Sequence, residues 1–490
     1  MRTRPLSLSL LPLFATVTVG ATVLTAAPAL AADTPPGPDR TGLVSEFYEW
    51  WTPGAYDATD DSTKLATAFR GDVTDAGAAV LAHNDEGVQG INHAGVADPT
   101  QSLRALEDAD MIWTETLGDS LGPVLSGYFL DGVSAGELPL TTSVIETGEG
   151  NATTGTAKTD FNFPRPFLQT ADKDRGGFGD RSRNGENDLK GLDPQLDIAR
   201  IPDQGARPDN GKPHSAGYDG FAGVGDKGVS GLNQAFPSGH TTYAYGISLQ
   251  LAELLPELAP EIITRGSEAG NNRIVLGVHY PLDIIGGRIE GHVNTATQLA
   301  DGDYIDSTLT PAREELVGYL EGRCDADGHG VTLAECIEDT GANDAGGYTN
   351  AFTDPVSTSP VTDRASALTA YEARMTYGFD RTSAGGQAAR VPANAEKLLV
   401  TAFPELTDAQ RRAVLAATEI DSGFPLDASS DGWARINLPA ALSARVTVDS
   451  TGAVVNVEPG QDAPSVVSSD LPGSVTGSLP GSLVGSLAGS

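Results

Sequence analysis

Lys158-Thr159-Asp160-Phe161-Asn162-Phe163-Pro164-Arg165-Pro166 sets a lysine and an arginine seven residues apart. On a continuous helix the two would share a face, two turns from one another. Pro164 and Pro166 fix the backbone around Arg165 and force a helix to end there. A guanidinium at such a terminus is a rigid fork that fits two oxygens of a tetrahedral anion. The same pair, taken alone, also reads as a solvated lysine beside an arginine bound to some carboxylate.

Phe236-Pro237-Ser238-Gly239-His240-Thr241-Thr242 is followed at once by apolar residues at helical spacing. Ser238 suits the N-cap of that helix. Gly239 beside it lets backbone N–H groups approach an anion, which the helix N-terminus further favours. His240 then falls in the first turn.

In Asn272-Arg273-Ile274-Val275-Leu276-Gly277-Val278-His279-Tyr280-Pro281-Leu282-Asp283, Arg273 and His279 are too poorly spaced for one helical face. Gly277 can end one helix and Pro281 begin the next, leaving His279 at the junction. Asp283 lies four residues on, within reach of the ring. A carboxylate on one imidazole nitrogen fixes the tautomer and leaves the other free to attack. A core histidine beside a capping aspartate would look similar.

Together the three segments hold three cations, a helix N-terminus and two histidines, one with an orienting carboxylate. That is equipment for in-line phosphoryl transfer. Cations and N–H groups would stabilise the equatorial oxygens of the transition state. One histidine would attack phosphorus while the other protonates the leaving oxygen.

The elements that must position these residues read as mainly α. Helical spacing recurs at 65–69, 103–125 and 244–255, and through 237–299. Further helices are expected at 311–323, 363–377, 394–403 and 407–418, the last opened by a capping box at Thr407 and Gln410. Residues 445–448 and 454–457 read as a small hairpin. The stretch 171–233 is rich in Gly, Asp, Arg, Asn and Pro and reads as a loop insertion, of the kind that commonly forms a lid. His214 lies within it; His83, His93 and His292 have no partner motif.

Residues 1–32 carry a basic n-region (Arg2, Arg4), an apolar stretch and Ala29-Leu30-Ala31 before the expected cleavage point, the pattern of a secretory signal. Residues 33–40 read as a linker. The domain plan is thus a leader (1–32), a catalytic domain (33–300), a helical extension with a hairpin (301–458) and a disordered Ser/Gly/Leu-rich tail (459–490). Cys324 and Cys336 are the only two cysteines, and in an exported chain they suggest one disulfide closing a short loop. Asp325 to Gly330 faintly resembles a calcium loop, but Cys336 stands where the bidentate glutamate belongs, so no such site is expected. The formal charge of −35 repels nucleic acid and anionic membranes.

Lys158-x6-Arg165-Pro166, Pro237-Ser238-Gly239-His240 and Arg273-x5-His279-x3-Asp283 resemble the three-part signature of the type 2 phosphatidic acid phosphatase and vanadium haloperoxidase superfamily. The stretch from Phe236 to about Gly291, with Ile262 to Gly270 inside it, is most similar to bacterial class A non-specific acid phosphatases. The resemblance implies an all-α helical-bundle domain with its site between central helices. Lys158, Arg165 and Arg273 would grip phosphate oxygens, helped by Ser238 and Gly239. His279 would be the nucleophile, Asp283 its orienter, and His240 the general acid that later activates water. No metal or cofactor is implied, and vanadate should inhibit. The substrates would be small phosphate monoesters, with neither nucleic acid nor an integral membrane association. Two departures stand out: Asn272 occupies the usual serine position, and the gap from Pro166 to Pro237 is longer than usual. The rival readings are a haloperoxidase with vanadate as cofactor on His279, a phosphatase of lipid phosphates, and a non-enzymatic surface module.

Overall fold

The computed structural model describes residues 39–54, 71–150, 154–169, 189–190, 196–199, 201, 234–352, 356 and 359–469. The expected leader, the helix at 65–69, most of the 171–233 insertion with His214, and the tail beyond 469 lie outside them. Among the described residues the fold is mainly α. Twelve helices of seven or more residues follow in order: α1 (Gly77–Ala97), α2 (Pro99–Ala109), α3 (Gly122–Ala135), α4 (Pro139–Gly150), α5 (Gly155–Phe161), α6 (Gly239–Leu254), α7 (Ala259–Val275), α8 (Pro281–Leu299), α9 (Thr310–Asp327), α10 (Leu333–Thr340), α11 (Arg364–Thr376) and α12 (Asp408–Thr418).

The centre is α6, which packs against α4, α7 and α8, while α7 is further covered by α1, α2 and α11. Every residue of α7 is buried, although its sequence is half polar. A helix enclosed on all sides is ordinarily apolar throughout, so its Arg265, Glu268, Asn271, Asn272 and Arg273 need partners inside the protein. Glycine lets α6 and α8 approach closely. A Cβ on Gly287 would lie 2.6 Å from the Ser238 carbonyl oxygen.

Local signals explain most boundaries. Thr407 and Gln410 form the expected capping box of α12. The expected helical run 103–125 is instead interrupted, because Met111, just after α2, and Gly122, the first residue of α3, adopt positive φ (56° and 75°). The expected helix at 394–403 shrinks to a 3₁₀ turn, Ala395–Leu399, confined by Asn394 at positive φ and by Pro404. Asp39 caps a helical turn at Arg40–Leu43, so the linker ends two residues earlier than expected.

Strands β1 (Trp51–Pro53), β2 (Gly71–Val73) and β3 (Leu189–Lys190) make one small sheet. The expected hairpin is present as β4 (Arg445–Val448) and β5 (Val454–Glu458), antiparallel. The tail expected to be disordered from 459 contributes a third strand, β6 (Ser465–Ser468), parallel to β4. Val466 and Val467 favour extended backbone, and β4 offers an unpaired edge for them to complete. Cys324 at the end of α9 and Cys336 in α10 form a disulfide, with Cα atoms 5.9 Å apart. Among the described residues, no helix is long and apolar enough to cross a membrane.

Candidate active site

Lys158 sits in α5, which stops at Phe161 because Asn162 turns into the left-handed region (φ 44°). Arg165 therefore follows the helix instead of sharing its face, on an extended stretch where Pro164 bridges to Gln234. The shared-face expectation fails because the turn comes three residues ahead of the arginine. The Lys158 ammonium donates to the carbonyls of Gln234 and Ala235 at 2.9 and 2.8 Å. It thereby ties the first segment to the backbone leading into the second.

Ser238 caps α6, its hydroxyl accepting from the Thr241 N–H at 3.2 Å. Its own N–H donates to the Asp283 carbonyl at 3.0 Å, latching the second segment to the third. Gly239 opens the helix and His240 falls in its first turn. The His240 Nε2 lies 3.2 Å from the Ala109 carbonyl oxygen. A carbonyl only accepts, so Nε2 carries a proton and Nδ1 is left to exchange one.

The α7 helix ends at Val275, Gly277 turns at φ +67°, and Pro281 begins α8. Glycine is required at 277: a Cβ there would lie 2.2 Å from Ile198, and its carbonyl accepts from the Phe167 N–H. His279 stands fully buried at this junction. Its Nδ1 lies 2.9 Å from Asp283 Oδ2, which also accepts from the Tyr280 N–H. On the other side, Arg165 donates to His279 Nε2 at 3.0 Å and to the Val278 carbonyl at 2.8 Å. Because a guanidinium cannot accept, the Nε2 lone pair faces Arg165 and the proton sits on Nδ1 toward Asp283.

Electrostatics joins the six charged or ionisable groups. Burial lowers the His279 pKa well below the usual imidazole value, with Arg165, Lys158, Arg273 and His240 pushing the same way. His240 is lowered well below it too, by burial and then by Arg273 and Arg165. Burial raises the Asp283 carboxyl to about 7, against the pull of the Tyr280 N–H, Lys158 and Arg165. Arg273 is wholly buried, and none of its three guanidinium nitrogens has a hydrogen-bond partner among the described residues. Its pKa falls to about 9, first through burial and then through Arg165. A buried cation with no acceptor is costly, and this one stands beside a second cation. A set of this composition can receive an anion.

Some of the supporting residues give no sequence signal. Phe47 stacks on Phe236 (centroids 4.1 Å apart) and meets Phe161 and Phe163 edge-on, while Phe163 packs on Tyr280. One aromatic cluster thus holds residues adjoining all three segments. The only hint was that each segment is flanked by aromatics. Likewise Asn92 exchanges hydrogen bonds with the backbone of Ala199, and His93 and Gln89 bind that of Asp197. These contacts seat one described piece of the insertion behind Gly277.

Residues 143–297, which contain all three segments, match the PAP2 superfamily. The chain is similar to the non-specific acid phosphatase of Salmonella typhimurium, 37% identical over 91 residues that make up 19% of this chain and 36% of that one. The acid phosphatase of Zymomonas mobilis is also 37% identical over 91 residues, 34% of its length. The non-specific acid phosphatase of Providencia stuartii is 32% identical over 84 residues, 17% of this chain and 34% of that one. The chain thus spans about a third of the length of the curated relatives it matches.

Proposed function

We propose that this protein is an exported acid phosphatase that hydrolyses small phosphate monoesters through a phosphohistidine on His279. The observation that carries this reading is Arg273, a fully buried guanidinium with no hydrogen-bond partner among the described residues, set in the same field as a histidine already poised by a carboxylate. The names of the relatives point the same way.

In the proposed cycle the phosphoryl oxygens take hydrogen bonds from Arg273, Arg165, Lys158, the Ser238 hydroxyl and the Gly239 N–H. Arg165 shifts from Nε2 onto those oxygens and uncovers the lone pair. The Nε2 atom forms a bond to phosphorus as the phosphorus–oxygen bond to the leaving group breaks, and His240 gives that oxygen its proton. Asp283 stabilises the cationic ring through Nδ1–H. Water then loses a proton to His240 and attacks phosphorus, the phosphorus–nitrogen bond breaks, and phosphate leaves with both histidines restored. Each step uses side chains of this chain, so activity should persist in EDTA, and vanadate should inhibit by occupying the cradle.

The test is alkali-quenched turnover of a labelled phosphomonoester, with lipid phosphates included among the substrates. Wild type should trap acid-labile label on His279, and His279→Ala should lose about 10⁴–10⁶-fold in kcat. Equal activity of the two would end the reading. Halide peroxidation after vanadate loading, with no ester hydrolysis, would reassign the site to redox chemistry.

A further inference from the structure

Beside the anion cradle, α7 carries a second buried polar system with no assigned part in the reaction. Asp108, whose carboxylate is wholly inaccessible, accepts from Arg265 at 2.6 and 3.1 Å and from Asn272 at 2.7 Å. Arg265 also donates to Asp119, and Asp119 accepts from Arg104, which pairs in turn with Glu268. Tyr348 closes the group by donating to Glu268. Asp108 lies in the last turn of α2, and the next residue, Ala109, offers His240 its carbonyl. The last four carbonyls of a helix lack intrahelical partners and carry its negative partial charge. An imidazolium placed against them is stabilised, and its orientation is fixed.

We propose that Asp108 is the positioning residue of the general acid: clamped by Arg265 and Asn272 of α7, it holds the C-terminal carbonyl of α2 against His240. This inference rests on the phosphatase reading. It gives Asn272, the departure from the usual serine, a definite job. The amide reaches the Asp108 carboxylate and links it to the residue next door, Arg273. One rigid helix therefore supplies a phosphate-gripping guanidinium directly and aligns the proton donor through a neighbour.

A group that acts through the general acid should matter most when the leaving oxygen most needs a proton. The general acid contributes about 10²–10⁴-fold in such reactions, and far less is needed for a leaving group as acidic as p-nitrophenol. For Asp108→Asn, kcat on an alkyl phosphate should fall at least about tenfold more than kcat on p-nitrophenyl phosphate. Inhibition by inorganic phosphate should stay within about twofold of wild type. In a His240→Ala background the same substitution should cost nothing further, because its route is already cut.

A loss equal for both leaving groups, or one that persists in the His240→Ala background, overturns the inference. If Asp108→Asn does not fold, Asn272→Ala removes a single hydrogen bond and should show the same leaving-group bias at smaller size; no bias there also overturns it. Wild type that hydrolyses no phosphomonoester would instead sink the phosphatase reading itself. The two failures are therefore told apart by the wild-type control.

Discussion

Helix α7 buries two arginines two turns apart, and they are treated in opposite ways. Arg265 is satisfied by two carboxylates, Asp108 and Asp119, and their charges hold its pKa above the usual range despite burial. Arg273, equally buried, has no hydrogen-bond acceptor among the described residues and is pulled down to about 9, although the charges of Asp108 and Asp110 act in its favour. Desolvation is common to both; what differs is compensation. A buried ion pair is neutral in sum and serves architecture, whereas a lone buried cation keeps its electrostatic demand for something that arrives later. The contrast separates structural charge from functional charge without appeal to position in a motif.

The sharpest way to break the comparison is to replace each arginine by methionine. Arg273→Met should lower kcat/KM by about 10²–10³-fold, as for loss of one donor to a transition-state anion. It should nevertheless raise stability by about 1–3 kcal/mol, the penalty of an unsatisfied buried group. Arg265→Met should do the reverse to stability and cost about 3–5 kcal/mol, because it leaves Asp108 as an unpaired buried charge. Urea denaturation of both variants reads the two signs. If Arg273→Met is the more destabilised of the two, the distinction collapses.

Ligand linkage sharpens it next. Inorganic phosphate at a hundred times its dissociation constant should stabilise wild type by about 2.7 kcal/mol, and thermal shifts should show little of this in Arg273→Met. A smaller effect concerns pH. The attacking ring must be unprotonated, and burial with Arg165 and Lys158 lowers its pKa, so activity should extend below the usual imidazole range. Lys158→Gln removes one of these cations, so the His279 pKa rises and the acid limb of kcat/KM should move to higher pH.

The smallest effect is on stability against pH. Burial raises Glu253, in α6, to about 8, while Thr401 donates to it. Between its ordinary value and about 8 the folded state holds a proton that the unfolded state releases, so stability falls as pH rises through that window. Glu253→Gln should flatten this slope. An unchanged slope would place the dependence elsewhere.

The anion cradle was legible in the sequence because its geometry is set locally. Ser238 caps, Gly277 turns, Pro281 starts a helix, and Asp283 reaches His279 across one turn. Where local cues competed, expectations slipped. Asn162 ended α5 before Arg165, and the run 103–125 broke at Met111 and Gly122. Asp108 was invisible for a different reason. An acidic residue in the last turn of an amphipathic helix reads as surface, and only the tertiary fold brings Arg265 and Asn272 onto it. The aromatic cluster around Phe47 was hidden in the same way, since its members are spread from 47 to 280.

The bond from Arg165 to His279 Nε2 has a consequence of its own. The nitrogen that the proposed cycle makes the nucleophile already accepts from an internal donor, so on that reading a substrate gains nothing by shape alone. It has to offer oxygens that draw the guanidinium off the ring. Carboxylic esters and other uncharged electrophiles bring weak acceptors and leave the nitrogen covered. On the proposed mechanism, discrimination among reaction types is written into this hydrogen bond, ahead of any contact with the rest of the substrate.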